Sequence, residues 1–197
     1  MENIAMTPMQ AQIKACYQKK CDSYIAQTKD VDMQAQYALF LKYLPKNARV
    51  LDVGFGSGRD LARFTALGYT ALGVDIVEEF VAHALENGLC AQVADYHNLP
   101  FVAEFDGVWA CASLLHSNNL PLAFANLARV LKVGGYVYLS MKYGKKAGME
   151  GEMFYQYIRE DGLESLAKGA GLRVVEWTIS KDELGRENEW LNALLVK

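Results

Sequence analysis

The chain predicts an α/β fold: a seven-stranded, mostly parallel sheet with helices on both faces and an antiparallel last strand. Three observations carry this. Along residues 48–140, short apolar runs alternate with segments whose apolar residues recur at helical spacing. Strands that alternate with helices imply right-handed crossovers and parallel neighbours. The run 105–111 is apolar almost throughout, as expected of a central parallel strand covered on both faces. The last two runs, Leu172–Ile179 and Trp190–Val196, are joined by a charged connection over 181–189 that leaves no room for a helix, so they should run antiparallel.

In chain order, residues 1–47 read as a helical cap and residues 48–197 as the sheet core, the whole forming one domain. Thr7-Pro8 starts a helix, with proline in the first turn. Tyr24–Thr28 reads as a loop. Asp32 then caps a second helix whose buried face is Met33, Tyr37, Phe40, Leu41 and Leu44, and Pro45 ends it. Strand one covers 48–53. Leu61, Phe64 and Leu67 mark the next helix, stopped at Gly68, and strand two follows at 70–75. Val77, Phe80, Val81 and Ala84 repeat the pattern before Gly88. Strand three, 90–94, leads to Asp95, and strand four is 105–111. A helix with Phe124, Leu127 and Leu131 precedes Gly134-Gly135 and strand five, 136–140. Residues 141–158 break the rhythm with Gly144, Gly148 and Gly151, and read as irregular. Asp161 and Glu164 have capping-box spacing for the helix of Leu163, Leu166 and Ala167.

The organising stretch is the turn after strand one, V-L-D-V-G-F-G-S-G-R-D. A strand that turns on glycines into a helix brings backbone N–H groups up to a ligand. Gly54 and Gly56 lack the Cβ that blocks such an approach, and Asp52, just inside the turn, is placed to brace it. Asp75 closes strand two, and an acidic group about 20 residues past the first glycine suits a ribose diol. The spacing is G-x-G-x-G rather than the G-x-G-x-x-G of a dinucleotide site. Asp52 would also repel a bridging diphosphate. A ligand with an adenosine ribose and a zwitterionic tail fits better than NAD, and S-adenosylmethionine is such a ligand.

These residues, followed by A-L-G-V-D-I, V-A-D-Y, F-D-G-V-W-A-C-A-S-L-L-H and L-K-V-G-G-Y-V-Y-L-S, resemble the ordered motifs of the class I, Rossmann-like S-adenosylmethionine-dependent methyltransferases. Q-T-K-D-V-D-M and E-W-L-N-A-L-L-V-K further resemble small stand-alone bacterial members. The likeness runs from about Tyr24 to the C-terminus. One departure is Phe55, where many members carry a small residue; its backbone serves the same purpose.

The resemblance implies S-adenosylmethionine as methyl donor and S-adenosylhomocysteine as product, bound beyond the carboxyl ends of the strands. Gly54, Gly56, Ser57 and the adjoining Gly58 would approach the methionine part. Arg59 would pair with its carboxylate, or be a solvated first-turn arginine. Asp75 would accept both ribose hydroxyls, and Ile76 would lie against adenine. Asp95 would take the adenine amino group, with Tyr96 backing it; the alternative for Asp95 is a turn carboxylate. Tyr24 would belong to a flap over the cofactor rather than a loop. Ala110 and Cys111 would border the transferred methyl. No N-P-P-Y, D-P-P-Y or Pro-Cys motif stands there, so Cys111 reads as a packed thiol. His116 is either a proton acceptor or a loop histidine bonded to backbone. Tyr24, Tyr143, Tyr155 and Trp190 could wall the acceptor pocket or simply pack.

Composition bounds the rest. Hydrophobic residues make up 52% and charged residues 22% of the 197, which suits a chain with a real core. No apolar run reaches the length of a membrane span. The start Met1-Glu2-Asn3 lacks a secretory pattern, and with the four cysteines, read as buried free thiols, it predicts a reducing, cytoplasmic setting. No ligand set for zinc is grouped in the sequence. A net charge of −3 points away from nucleic acid and toward a small-molecule acceptor. The rival readings are an RNA methyltransferase, a NAD-dependent dehydrogenase and a non-catalytic S-adenosylmethionine-binding protein.

Overall fold

In the computed structural model, residues 6–197 are described; the extreme N-terminus read above for a secretory pattern lies outside them. The elements run α1 (Pro8–Lys19), α2 (Cys21–Thr28), α3 (Gln34–Leu41), β1 (Arg49–Val53), α4 (Arg59–Ala66), β2 (Thr70–Asp75), α5 (Glu78–Glu86), β3 (Ala91–Val93) and β4 (Phe105–Cys111). A 3-10 turn (Leu114–His116) leads to α6 (Leu120–Val130), β5 (Leu131–Lys142), β6 (Ala147–Glu150), β7 (Met153–Gln156), α7 (Glu160–Gly169), β8 (Arg173–Lys181) and β9 (Glu189–Val196).

The main sheet has seven strands in the order β3-β2-β1-β4-β5-β9-β8. The first five pair in parallel, while β9 is antiparallel to both β5 and β8. Period-two alternation along β4 sends its side chains to opposite faces. Val108 and Ala110 pack with Ala123, Phe124 and Leu127 of α6 and Leu163 of α7. Trp109 goes the other way, with Tyr37 and Phe40 of α3 and Phe64 of α4. There it stacks on Tyr138 at 3.9 Å between ring centres. Helices therefore cover both faces of the sheet.

Four local expectations are corrected. The stretch 24–28 is not a loop but the end of helix α2, which begins one residue after α1 closes at Lys20. Residues 147–156 form a hairpin, β6–β7, because α1 and the 3-10 turn give it a surface to pack on. Helix α7 starts at Glu160 with no side-chain cap, so the Asp161–Glu164 spacing is not used. Cys90, expected buried, is exposed, while Cys16 and Cys21 are buried; β3 is an edge strand and starts only after it. Asp32, expected to cap α3, stands one place ahead of the N-cap position, which Met33 takes, and accepts from the Gln34 N–H at 2.9 Å. Among the described residues no helix is long and apolar enough to cross a membrane, and no cluster of metal-binding side chains occurs.

Candidate active site

The turn after β1 holds Gly54, Gly56 and Gly58 at φ of 68°, 53° and 78°, a region where side chains with a Cβ are strained. Space forbids a Cβ as well. At Gly54 it would stand 2.5 Å from the Ser113 Cβ, and at Gly56 it would stand 2.9 Å from a ring carbon of Tyr24. The Gly54 N–H donates to Val74 at 2.7 Å, fixing the loop beside β2.

Asp75, at the end of β2, is only 7% exposed. One carboxylate oxygen accepts the Gly56 N–H and the other the Val77 N–H, each at 3.0 Å. Burial pushes its pKa up to about 6, against the pull of these N–H groups. Asp75, and not Asp52, braces the glycine turn. Asp52 is buried, and one of its oxygens has no partner among the described residues. Burial and the neighbouring Asp60 carboxylate raise its pKa well above the carboxylate range, which favours the neutral acid.

Two adjoining cavities open from this point. The smaller, about 60 Å³, lies between Gly54, Gly56, Asp75, Ile76 and Tyr96, and is roofed by Ile13, Tyr17 and Tyr24 of the first two helices. The larger, about 440 Å³, is bounded by Phe55, Ser57, Arg59 and Cys111 on one side and by Lys142, Tyr155 and Trp190 on the other. Tyr17, Tyr24, Gly54, Ala112 and His116 border both. Of the residues singled out in the sequence, Asp52, Gly58, Asp95, Ala110 and Tyr143 line neither cavity.

Asp95 is held elsewhere. One oxygen accepts from the His97 N–H at 2.9 Å and lies 3.1 Å from His97 Nδ1, and the other takes the Gln10 side-chain amide from α1. His97 Nε2 in turn lies 2.8 Å from the Ser117 hydroxyl. The array has the partners of a nucleophilic triad, but Ser117 is wholly buried and borders no cavity described here. It ties α1 to the strand ends rather than meeting a substrate.

Arg59 is likewise turned inward. Its Nε and Nη2 donate to the two oxygens of Asp60 at 2.7 and 2.8 Å. Burial opposes the charge, yet Asp60 outweighs it and holds the guanidinium pKa above its ordinary value. Asp60 also accepts from Tyr37 at 2.5 Å and from the Trp109 indole at 2.8 Å. Cys111 is raised to about 12, mainly by burial, which keeps it a thiol at neutral pH.

His116 is 7% exposed at the junction of the cavities. A carbonyl only accepts, so Nδ1 donates to the Phe154 carbonyl at 2.8 Å. Nε2 is left to accept from the Tyr17 phenol at 2.9 Å. Burial lowers the His116 pKa to about 4, and burial raises that of Tyr17 well above its ordinary value. Tyr17 was not legible as a site residue; its one signal is the i, i+4 spacing from Ile13 in an otherwise polar helix. Ser113 borders the smaller cavity as well, and nothing in its local sequence marks it as a site residue.

Comparison with known proteins agrees with this frame. Residues 51–139 match the family model described as "Methyltransferase domain". The chain is 40% identical over 100 residues to malonyl-(acyl-carrier protein) O-methyltransferase of Erwinia pyrifoliae, covering 49% of this chain and 38% of that protein. It is 32% identical over 108 residues to a tRNA (carboxymethyluridine(34)-5-O)-methyltransferase of Arabidopsis thaliana, covering 53% and 26%. The chain thus spans less than half the length of these relatives. Among solved structures, the 1,6-didemethyltoxoflavin-N1-methyltransferase of Burkholderia thailandensis, with 1,6-didemethyltoxoflavin and S-adenosylhomocysteine bound, superposes with a TM-score of 0.79 at 21% identity, covering 100% of this chain and 93% of that one. That likeness is one of fold.

Proposed function

We infer that this chain, which belongs to the class I, Rossmann-like S-adenosylmethionine-dependent methyltransferases, moves a methyl group from S-adenosylmethionine to a nucleophilic atom of a small-molecule acceptor. The observation that carries the reading is the pairing of Asp75 with the side-chain-free turn at Gly54 and Gly56, at one wall of a cavity that continues past His116 into a larger one. A diol fits a carboxylate held by backbone, and backbone N–H groups fit the tail beyond it.

When bound, S-adenosylmethionine supplies an activated methyl on a sulfonium. The chain's part is to align the acceptor and keep water out, and positioning of this kind is worth about 7–11 kcal/mol of barrier. Asp75 holds the ribose and Tyr96 and Ile76 flank the base. Tyr17 and His116 stand where the acceptor's proton would leave. The phenol oxygen would take that proton as its own passes to His116 Nε2. That nitrogen is neutral at physiological pH but, with its pKa lowered to about 4 by burial, a weak base that must hand the proton on.

The tRNA-modifying relative makes an RNA nucleoside the second reading. The net charge of −3 favours the small molecule. Calorimetry with S-adenosylmethionine, S-adenosylhomocysteine and NAD tests the cofactor. An acceptor screen that follows S-adenosylhomocysteine formation, with bulk tRNA as one arm, tests the rest. Turnover of tRNA and of no small molecule would reverse the preference. Binding of NAD alone would remove the reading.

A further inference from the structure

We propose that the hydroxyl of Ser113 accepts a hydrogen bond from the ammonium of the amino-acid end of the bound nucleoside, making Ser113 a cofactor-positioning residue. The assignment rests on the cofactor reading above. Ser113 follows β4 at the carboxyl edge of the sheet and is 7% exposed. Its side chain borders the smaller cavity together with Gly54, Asp75 and His116. The Oγ is fully buried and has no hydrogen-bond partner among the described residues. A buried hydroxyl left unsatisfied is costly unless a ligand completes it.

Topology says which part of a ligand that is. The order β3-β2-β1-β4 puts Asp75 and Ser113 at the ends of strands on either side of β1. Two strand spacings amount to roughly 10 Å. A nucleoside whose ribose sits on Asp75 has its base on the β3 side, where Tyr96 lies. Its tail must then cross β1 over Gly54 and reach Ser113. The Ser113 Oγ lies 3.4 Å from where a Gly54 Cβ would stand, so a side chain there would compete with the tail for the same space.

Of the two charges on that tail, the carboxylate suits the first-turn N–H groups of α4 at their positive end. The ammonium therefore faces the hydroxyl, whose lone pairs are free. Arg59 is already engaged within the protein: its Nε and Nη2 donate to Asp60 and its Nη1 to the Thr28 carbonyl at 3.4 Å.

The test compares wild type with Ser113→Ala, using S-adenosylhomocysteine and 5′-methylthioadenosine, which has the same nucleoside without the amino-acid end. Calorimetry should show S-adenosylhomocysteine binding weakened about tenfold or more, the range of a hydrogen bond to a charged group. Binding of methylthioadenosine should stay within about twofold of wild type. The ligand-free variant should melt no lower than wild type, because an unpartnered hydroxyl has been removed. A role in packing alone predicts a lower melting temperature and equal loss for both ligands, and that result overturns the assignment. Unchanged affinity for S-adenosylhomocysteine overturns it too. Wild type that binds neither nucleoside takes down the cofactor reading itself.

Discussion

Tyr17 and His116 meet at 2.9 Å, phenol to Nε2, at the boundary of the two cavities. The contact joins the first helix of the cap to the end of β4, and the Phe154 carbonyl fixes the imidazole tautomer from the hairpin side. His116 bonds backbone through Nδ1, one of the two roles its sequence position allowed, and meets the Tyr17 phenol through Nε2. Once an acceptor is in hand, Tyr17→Phe should lower turnover about 10²- to 10⁴-fold, the usual worth of acid–base assistance, while S-adenosylhomocysteine affinity changes little. Equal turnover by the variant would leave the pair a structural latch.

The same histidine gives the fold an acid sensitivity. Its pKa is about 4 in the native state against an ordinary 6.5. Between those values the unfolded chain holds a proton that the native chain does not, so stability falls as pH drops through the window. The loss can reach about 3 kcal/mol when complete. Urea unfolding from pH 7 to 4 should show a shallower acid decline for His116→Gln than for wild type. Superimposable declines would mean that the ring is solvated.

Asp75 should make ligand binding depend on pH in the opposite sense to its own contribution to stability. With a native pKa near 6, the protonated acid is favoured by folding, and that contribution is lost as pH rises from about 4 through 6. Hydroxyl groups of a ribose donate best to the ionised form, so S-adenosylhomocysteine affinity should rise across pH 5–7 and level off above. Asp75→Asn should flatten the profile. Asp75→Ala should abolish detectable binding with the far-ultraviolet circular dichroism unchanged. Wild-type affinity in Asp75→Ala would remove the carboxylate from the site.

What was readable in the sequence was what local pattern encodes. The glycine turn, the apolar run of β4 and the antiparallel β8 and β9 follow from backbone freedom and burial along short stretches. The misses share a different origin, since each depends on a partner distant in sequence. Asp95 is in register for adenine, but Gln10, on a helix far back in the chain, holds its carboxylate. Arg59 has the position to reach a ligand, but the carboxylate beside it is anchored by Tyr37 and Trp109 and draws it inward. The hairpin of 147–156 has too many glycines to signal strands and gains its order from packing against α1 and the 3-10 turn.

That anchored carboxylate gives a stability prediction. Asp60 is 5% exposed and serves Tyr37, Trp109 and both arms of Arg59 at once. Asp60→Ala would strand a largely buried guanidinium, and breaking a buried pair from one side costs about 3–5 kcal/mol. Asp60→Asn, which keeps the shape but not the charge, should cost less. Urea unfolding of both variants checks the order. A loss under about 1 kcal/mol for Asp60→Ala would show that the larger cavity, which Arg59 borders, solvates the guanidinium well enough without its partner.

The roof over the nucleoside cavity sets the last expectation. A volume of about 60 Å³ is room for roughly two waters, far short of an adenosine. The space is taken by Tyr17 and Tyr24, whose rings meet edge to face at 5.2 Å and pack on Phe80. With Tyr24 standing over Gly56, a nucleoside that reaches the turn must displace the Tyr24 ring. Association should then be limited by that displacement. In stopped-flow mixing, the observed rate with S-adenosylhomocysteine should reach a plateau as ligand is raised. Tyr24→Ala, by removing the ring that blocks the turn, should lift the plateau several-fold while lowering final affinity. A rate that climbs linearly at all concentrations, the same in both proteins, would mean that the cavity is already open when the ligand arrives.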